Sequence, residues 1–189
     1  MENYYNRSNT GGAAAGRGLE YQDLCAMKYY LENVDREDFV SLTLEQTNDF
    51  SLLFKDKMEQ TFQVKNYKLS KKDINDILCK IPADRDRKYA LIAPLWTEEL
   101  CSVLLRIKEY RNACTAQRAE AELVQIRKNL QDYISARGYS PGIMDCEFLL
   151  EPDSEDFREA LLYRLYTWQK RHGYESDEQL MLLQLGKTV

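Results

Sequence analysis

The chain holds a single histidine, His172, and no two of its cysteines stand at CxxC spacing. Each absence removes a class of chemistry. A Ser-His-Asp hydrolase needs an imidazole base, and His172 sits in the run Lys170-Arg171-His172-Gly173, which reads as a helix end where capping is its expected role. Zinc sites draw four Cys or His ligands from short, regular spacings. Here Cys25, Cys79, Cys101, Cys114 and Cys146 are odd in number and widely scattered, and they are expected to be reduced, mostly buried thiols acting as small hydrophobes. Long apolar runs are missing as well. The longest, Tyr89 to Trp96, falls far below the ~20 residues that a membrane-crossing helix needs. No basic start followed by an apolar stretch opens the chain, so the expected location is the cytoplasm, with no membrane partner.

What is present describes an ordinary globular protein. Of 189 residues, 44% are hydrophobic and 30% charged, enough for one well-buried core and too short for a second full domain. The 31 acidic residues outnumber the 26 basic ones, giving a net charge of −5. That argues against indiscriminate coating of nucleic acid, which rests on neutralising phosphates with Lys and Arg. An enzyme with its cations gathered on one face remains compatible with it. Residues 1–16 read as a flexible arm, since their glycines precede no Gly-Lys-Ser/Thr and follow no strand. Residues 17–189 then form one unit: a core over 17–95, a helical extension over 96–142, and a strand with C-terminal helices over 143–189.

Periodicity orders the elements. From Arg17 to Val34, Tyr21, Leu24, Met27, Leu31 and Val34 recur at helical spacing and predict a buried stripe. Three runs of period-two alternation follow at residues 39–45, 48–54 and 60–66, as half-buried antiparallel strands require. The polar segment 55–60 joins the second to the third. A charged helix is expected over 70–80. Residues 88–94 are apolar on both faces, which places that strand inside a covered sheet. Thr97 caps a helix with Glu98 and Glu99 in its first turn, and helical sequence runs to Arg137 with a break near 111–115. Its second half carries the stripe Ala119, Leu123, Ile126, Leu130 and Tyr133, and Gly138 and Pro141 end it. A strand over 144–150, a helix from Ser154 and a last helix over 176–185 complete an α/β chain.

The strand geometry gathers chemistry. Asp49 lies on the polar side of the second strand, and Gln63 and Lys65, two residues apart, share one face of the third. Paired across the hairpin, these polar faces coincide. Glu45 lies on the polar side of the first strand, and Glu20 projects from the start of the first helix. Magnesium takes oxygen ligands and keeps several waters. The Asp49 carboxylate, the Gln63 amide oxygen and the Val64 carbonyl can supply part of such a shell, with Glu20 and Glu45 holding a second ion or a metal-bound water. Lys65 can orient a nucleophile or stabilise negative charge on a phosphorane. The plain alternative is that polar residues on one strand face are simply solvated.

The pattern of a helix with an internal Glu, an Asp in one strand and Gln-x-Lys in the next resembles the PD-(D/E)xK nuclease superfamily, in its Mrr-like branch. The segments GGAAAGRGLEYQ, LEQTNDFSLLF and TFQVKNYK resemble more narrowly the nuclease heads of CD-NTase-associated, SAVED-containing anti-phage effectors, over about residues 11–95. The resemblance implies a restriction-endonuclease-like core with helical additions. It also implies Mg2+-dependent cutting of double-stranded DNA with little sequence preference, Mn2+ being a substitute. Asp49, Gln63 and Lys65 match the family triad, Glu20 its helix acid and Glu45 the acid before the hairpin. Activation by a sensor domain or subunit is implied too, although no recognisable sensor follows in this chain. Gln63 is neutral where many members carry an acid, which implies weaker metal binding.

Lys68, Lys71 and Lys72 follow the motif and are expected to contact DNA phosphates, with Arg85, Arg87 and Lys88 as a second basic group. One site cuts one strand, so double-strand breaks imply at least a homodimer. Two other readings stay open: an inert DNA-binding or assembly module of the same fold, and a helix-mediated protein-interaction module. RNA is the alternative polymer substrate.

Overall fold

In a computed structural model, the structure describes residues 11–44, 49–81, 87–116 and 118–174. Helix α1 (Gly11–Asn33) leads into three antiparallel strands, β1 (Phe39–Leu44), β2 (Phe50–Phe54) and β3 (Glu59–Val64). The β2–β3 connection turns tightly: Lys57 adopts a φ of 65° and donates its backbone N–H to the Phe54 carbonyl at 3.0 Å. Strands β4 (Arg87–Ala93) and β5 (Cys146–Leu150) then add in parallel, so the sheet runs β1-β2-β3-β4-β5. Parallel neighbours need crossovers. Helix α2 (Lys71–Leu78) lies in the first, and the α3 (Glu98–Thr115) and α4 (Glu120–Ala136) pair in the second. Helix α5 (Glu155–Arg171) packs along α1.

The mixed α/β class and the strand pattern agree with the periodicity. Side chains alternate along the strands, apart from a register shift in β1 between Phe39 and Ser41, so each face of the sheet builds its own core. On one face Phe50, Leu52, Phe62, Val64, Ala90 and Ile92 meet Tyr21, Cys25 and Ala26 of α1. On the other, Leu91 and Ala93 meet Ile74 of α2, Leu100 and Val103 of α3, and Ile134 of α4. Strand β4 contributes to both, as its continuous apolar run required. Gly138, at φ 71°, ends α4, and the Tyr139 N–H turns back to the Ile134 carbonyl at 3.2 Å.

Several expectations are corrected. The buried stripe of α1 is Tyr21, Cys25, Ala26 and Asn33, whereas Leu24, Met27 and Leu31 are only half-buried. Tyr21, Cys25 and Ala26 join the sheet-facing cluster, with Tyr29 packed against it, and Leu24, Met27 and Leu31 are not part of it. The break in the long helical region falls directly after Thr115, at the edge of the expected stretch. Of the five cysteines only Cys25 and Cys146 are buried; Cys79, Cys101 and Cys114 are exposed. The expected helix over 176–185 lies outside the described residues. No helix among the described residues is long and apolar enough to cross a membrane.

Candidate functional site

The candidate site lies where β3, β4 and β5 all end, the edge of an α/β sheet at which loops and helix termini converge. Asp49 immediately precedes β2, and its N–H bonds to the Phe62 carbonyl at 3.1 Å, which sets it beside the end of β3. Its carboxylate gathers N–H donors from two elements. Gln63 donates its side-chain amide to Oδ2 at 2.8 Å, and the Val64 backbone N–H donates to the same oxygen. From α1, Gln22 donates its amide to Oδ1 at 2.6 Å. Hydrogen bonds to a charged group contribute roughly 1.5–3 kcal/mol each, so this carboxylate is held in place.

Beyond Gln63 the sheet face opens into a cleft of about 770 Å3, walled by α2. Gln63 of β3 and Lys65 just after it line the cleft, with Tyr89 and Leu91 from β4, Asp76 from α2 and Lys80 from the turn that follows α2. Among the described residues no carboxylate pairs with the Lys65 ammonium, while the Lys65 backbone N–H is tied to the Ile92 carbonyl at 2.9 Å. The backbone of Lys65 is thus fixed by the sheet, and among the described residues its head group is left without a charged partner. Tyr67 also borders the cleft, and burial together with the Asp73 carboxylate pushes its phenol above the usual value, keeping it a donor.

Not every expected residue joins this group. Glu20 forms an ion pair with Arg158 of α5 instead of turning toward Asp49. The helix residue that meets Asp49 is Gln22. Glu45 lies outside the described residues, as does Arg85. Lys71 pairs with Glu99 of α3 at 3.1 Å and lies over the Tyr139 ring, which directs it toward α3. Lys68 and Lys72 are exposed. Arg87 lines the cleft and pairs with Glu59 at 3.1 Å, while Lys88, the next residue of the strand, alternates to the other face. His172 sits at the C-terminal cap of α5, its backbone N–H bonded to the Trp168 carbonyl at 3.1 Å.

One buried ionic group was not foreseen. Glu151, which follows β5, is 7% exposed and accepts from Lys28 and from the Tyr29 hydroxyl at 2.9 Å, while the Tyr21 hydroxyl bonds to its backbone carbonyl at 2.7 Å. Burial, and then the negative charge of Glu151, raise the Tyr29 phenol far above its ordinary value. These contacts clamp α1 onto the end of β5, with Gln22 next to one of the clamping tyrosines.

Among the described residues no three His, Cys, Asp or Glu side chains gather to hold a metal by themselves. The donors present are nonetheless the hard oxygens that Mg2+ prefers: the Asp49 carboxylate, the Gln63 amide and the Val64 carbonyl. The 2.8 Å between Gln63 and Asp49 is close to the ~2.9 Å between neighbouring oxygens of an octahedral shell with ligands at 2.0–2.1 Å. Turning the Gln63 amide over would exchange its N–H for its oxygen at about that separation. The set therefore fits a hard cation that keeps much of its water.

No family model matches the chain. In sequence it is related to CD-NTase-associated protein 4 of Moraxella osloensis, at 24% identity over 156 residues, covering 77% of this chain and 33% of that protein. In fold it is similar to the Moraxella osloensis Cap4 SAVED/CARF-domain containing receptor, with a TM-score of 0.62, 19% identity, and coverage of 89% of this chain and 41% of that one. It is similar also to the Acinetobacter baumannii Cap4 SAVED/CARF-domain containing receptor solved with the cyclic trinucleotide 2'3'3'-cAAA, with a TM-score of 0.64, 14% identity, and coverage of 89% and 39%. The chain spans about a third of the length of the curated relative.

Proposed function

We propose that this chain is a metal-dependent endonuclease module that cuts double-stranded DNA with little sequence preference, in defence against phage. The observation that carries the reading is the Asp49–Gln63 contact at the end of the hairpin, with Lys65 on the same strand face lining an open cleft. The antiparallel hairpin leading into a parallel crossover supports a restriction-endonuclease-like core. The relation to a CD-NTase-associated protein supports the defence setting.

In this reading Asp49, Gln63 and the Val64 carbonyl hold Mg2+, or Mn2+ in its place. A bound divalent cation supplies Lewis acidity and lowers the pKa of its water. The chain's own residues do the rest. Lys65 lies in the cleft, its ammonium unpaired among the described residues, and stabilises the charge that develops on the phosphoryl oxygens as water adds to phosphorus and the bridging oxygen leaves. Gln22 and the Val64 N–H fix the Asp49 carboxylate. Lys68 and Lys72, both exposed, contact flanking phosphates. With a net charge of −5 the isolated module binds DNA weakly, so cutting depends on assembly into at least a dimer by a sensor domain or subunit.

A second reading is favoured by one specific observation: a related fold was solved with a cyclic trinucleotide. This chain would then be a receptor for such a signal. The two readings separate in one experiment. Joined to a forced dimeriser, a nuclease module converts supercoiled plasmid to nicked and linear forms with Mg2+ and does not retain labelled cyclic triadenylate. A receptor retains the label without cutting, and an inert DNA-binding module shifts DNA without cutting at any Mg2+ concentration.

A further inference from the structure

The Asp49 carboxylate is surrounded by three N–H groups, of which two belong to β3 and one to α1. The β3 pair cannot both persist when the site is loaded. For Gln63 to offer its amide oxygen, its N–H must leave Asp49 Oδ2, and one of the two hydrogen bonds on that oxygen is lost. Gln22 is under no such demand. It holds the other oxygen, Oδ1, at 2.6 Å from a different element. That element is itself clamped at the neighbouring residue, Tyr21, whose hydroxyl bonds to the Glu151 carbonyl at 2.7 Å. Tyr21 is 1% exposed, so the helix cannot roll at this point without losing a packed ring.

Resting on the nuclease reading above, we propose that Gln22 is a positioning residue for the divalent cation. It holds Asp49 Oδ1 throughout and keeps Oδ2 aimed at β3 while Gln63 changes from donor to ligand. Glu20, two residues earlier, is engaged by Arg158 and takes no part. An amide suits this role better than an acid. It donates to the carboxylate without adding charge, and it needs no cation to stay in place. Groups that orient a metal ligand without touching the metal typically account for about 10–100-fold in metal affinity.

The test is Mn2+ binding by titration calorimetry and by electron paramagnetic resonance of free Mn2+, on the whole chain. Wild type is compared with Gln22→Met, which keeps the volume and removes the donor, and with Gln22→Ala. Circular dichroism and urea midpoints check that each variant folds. The expected result is Mn2+ binding weakened about 10-fold or more in both variants. Plasmid cleavage by forcibly dimerised forms should likewise need more Mn2+ for half-maximal rate, with the lost rate recovered at saturating Mn2+, a pattern that loss of fold would not produce. Unchanged Mn2+ affinity in folded Gln22→Met overturns the inference alone. Failure of the wild type itself to bind Mn2+, with Asp49→Ala indistinguishable from it, overturns this inference and the nuclease reading together.

Discussion

Phe50 and Phe62 stack across β2 and β3 with ring centroids 4.4 Å apart and planes within 12°, and each is the immediate neighbour of a residue of the site. Asp49 precedes Phe50 and Gln63 follows Phe62. A strand slip of one residue would carry every side chain to the opposite face, so the stacked pair fixes the register that sets Asp49 against Gln63. Both rings are fully buried. Phe62→Ala is expected to cost about 3–5 kcal/mol in urea unfolding, and Phe62→Leu clearly less. A loss below ~1 kcal/mol for the alanine variant would mean that the pair does not hold the hairpin.

The clamp on α1 makes a separate prediction. Glu151 is a buried charge whose partners are Lys28 and Tyr29, and removing one partner of a buried ion pair leaves the other uncompensated. Lys28→Met is expected to destabilise by about 3–5 kcal/mol. Tyr29→Phe removes one hydrogen bond but leaves the ion pair, and should cost less, about 1.5–3 kcal/mol. Equal effects of the two variants in chemical denaturation would contradict the arrangement.

Thiol labelling distinguishes the cysteines. Burial pushes the Cys25 and Cys146 thiols up to about 12, so neither forms appreciable thiolate near neutral pH. Cys79, Cys101 and Cys114 are exposed. Iodoacetamide at pH 8 should modify those three in the native protein, and Cys25 and Cys146 only after unfolding. Mass mapping of the adducts reads the outcome directly.

Helix α2 carries a pH-dependent cap. The Ser70 hydroxyl and backbone N–H both donate to the Asp73 carboxylate and hold its pKa below the usual carboxylate range. A depressed folded value means that the contribution is present above the ordinary aspartate value and is lost as pH falls through the folded one. Asp73→Asn should therefore lower the melting temperature at neutral pH, with the difference shrinking toward zero in acid. Ser70→Ala, which removes the N-cap itself, should cost about 1 kcal/mol. A difference for Asp73→Asn that grows in acid would contradict this assignment.

Much of the strand core, and the meeting of Asp49 with Gln63, was legible because period-two alternation determines the face of every strand residue. The phase of α1 was not. Counting large apolar residues places Leu24, Met27 and Leu31 against the sheet, whereas the cluster takes Tyr21, Cys25 and Ala26, a phase in which two of the three buried residues are small and give little apolar signal. The same shift explains why Gln22 rather than Glu20 meets Asp49. Glu151 was invisible for a different reason. Its partners lie more than a hundred residues away in the chain, and no local pattern marks a buried carboxylate whose countercharge comes from another element.

The central claim is that Asp49, Gln63 and Lys65 form a phosphodiesterase site, and the most direct measurement is plasmid cleavage by a forcibly dimerised form of the chain. Wild type and Lys65→Ala are compared in Mg2+ and in EDTA, with circular dichroism to show that both fold. The expected result is Mg2+-dependent nicking and linearisation by the wild type, abolished by EDTA and by Lys65→Ala. Absence of cutting by the dimerised wild type at any Mg2+ concentration, or cutting that Lys65→Ala leaves unchanged, would contradict it.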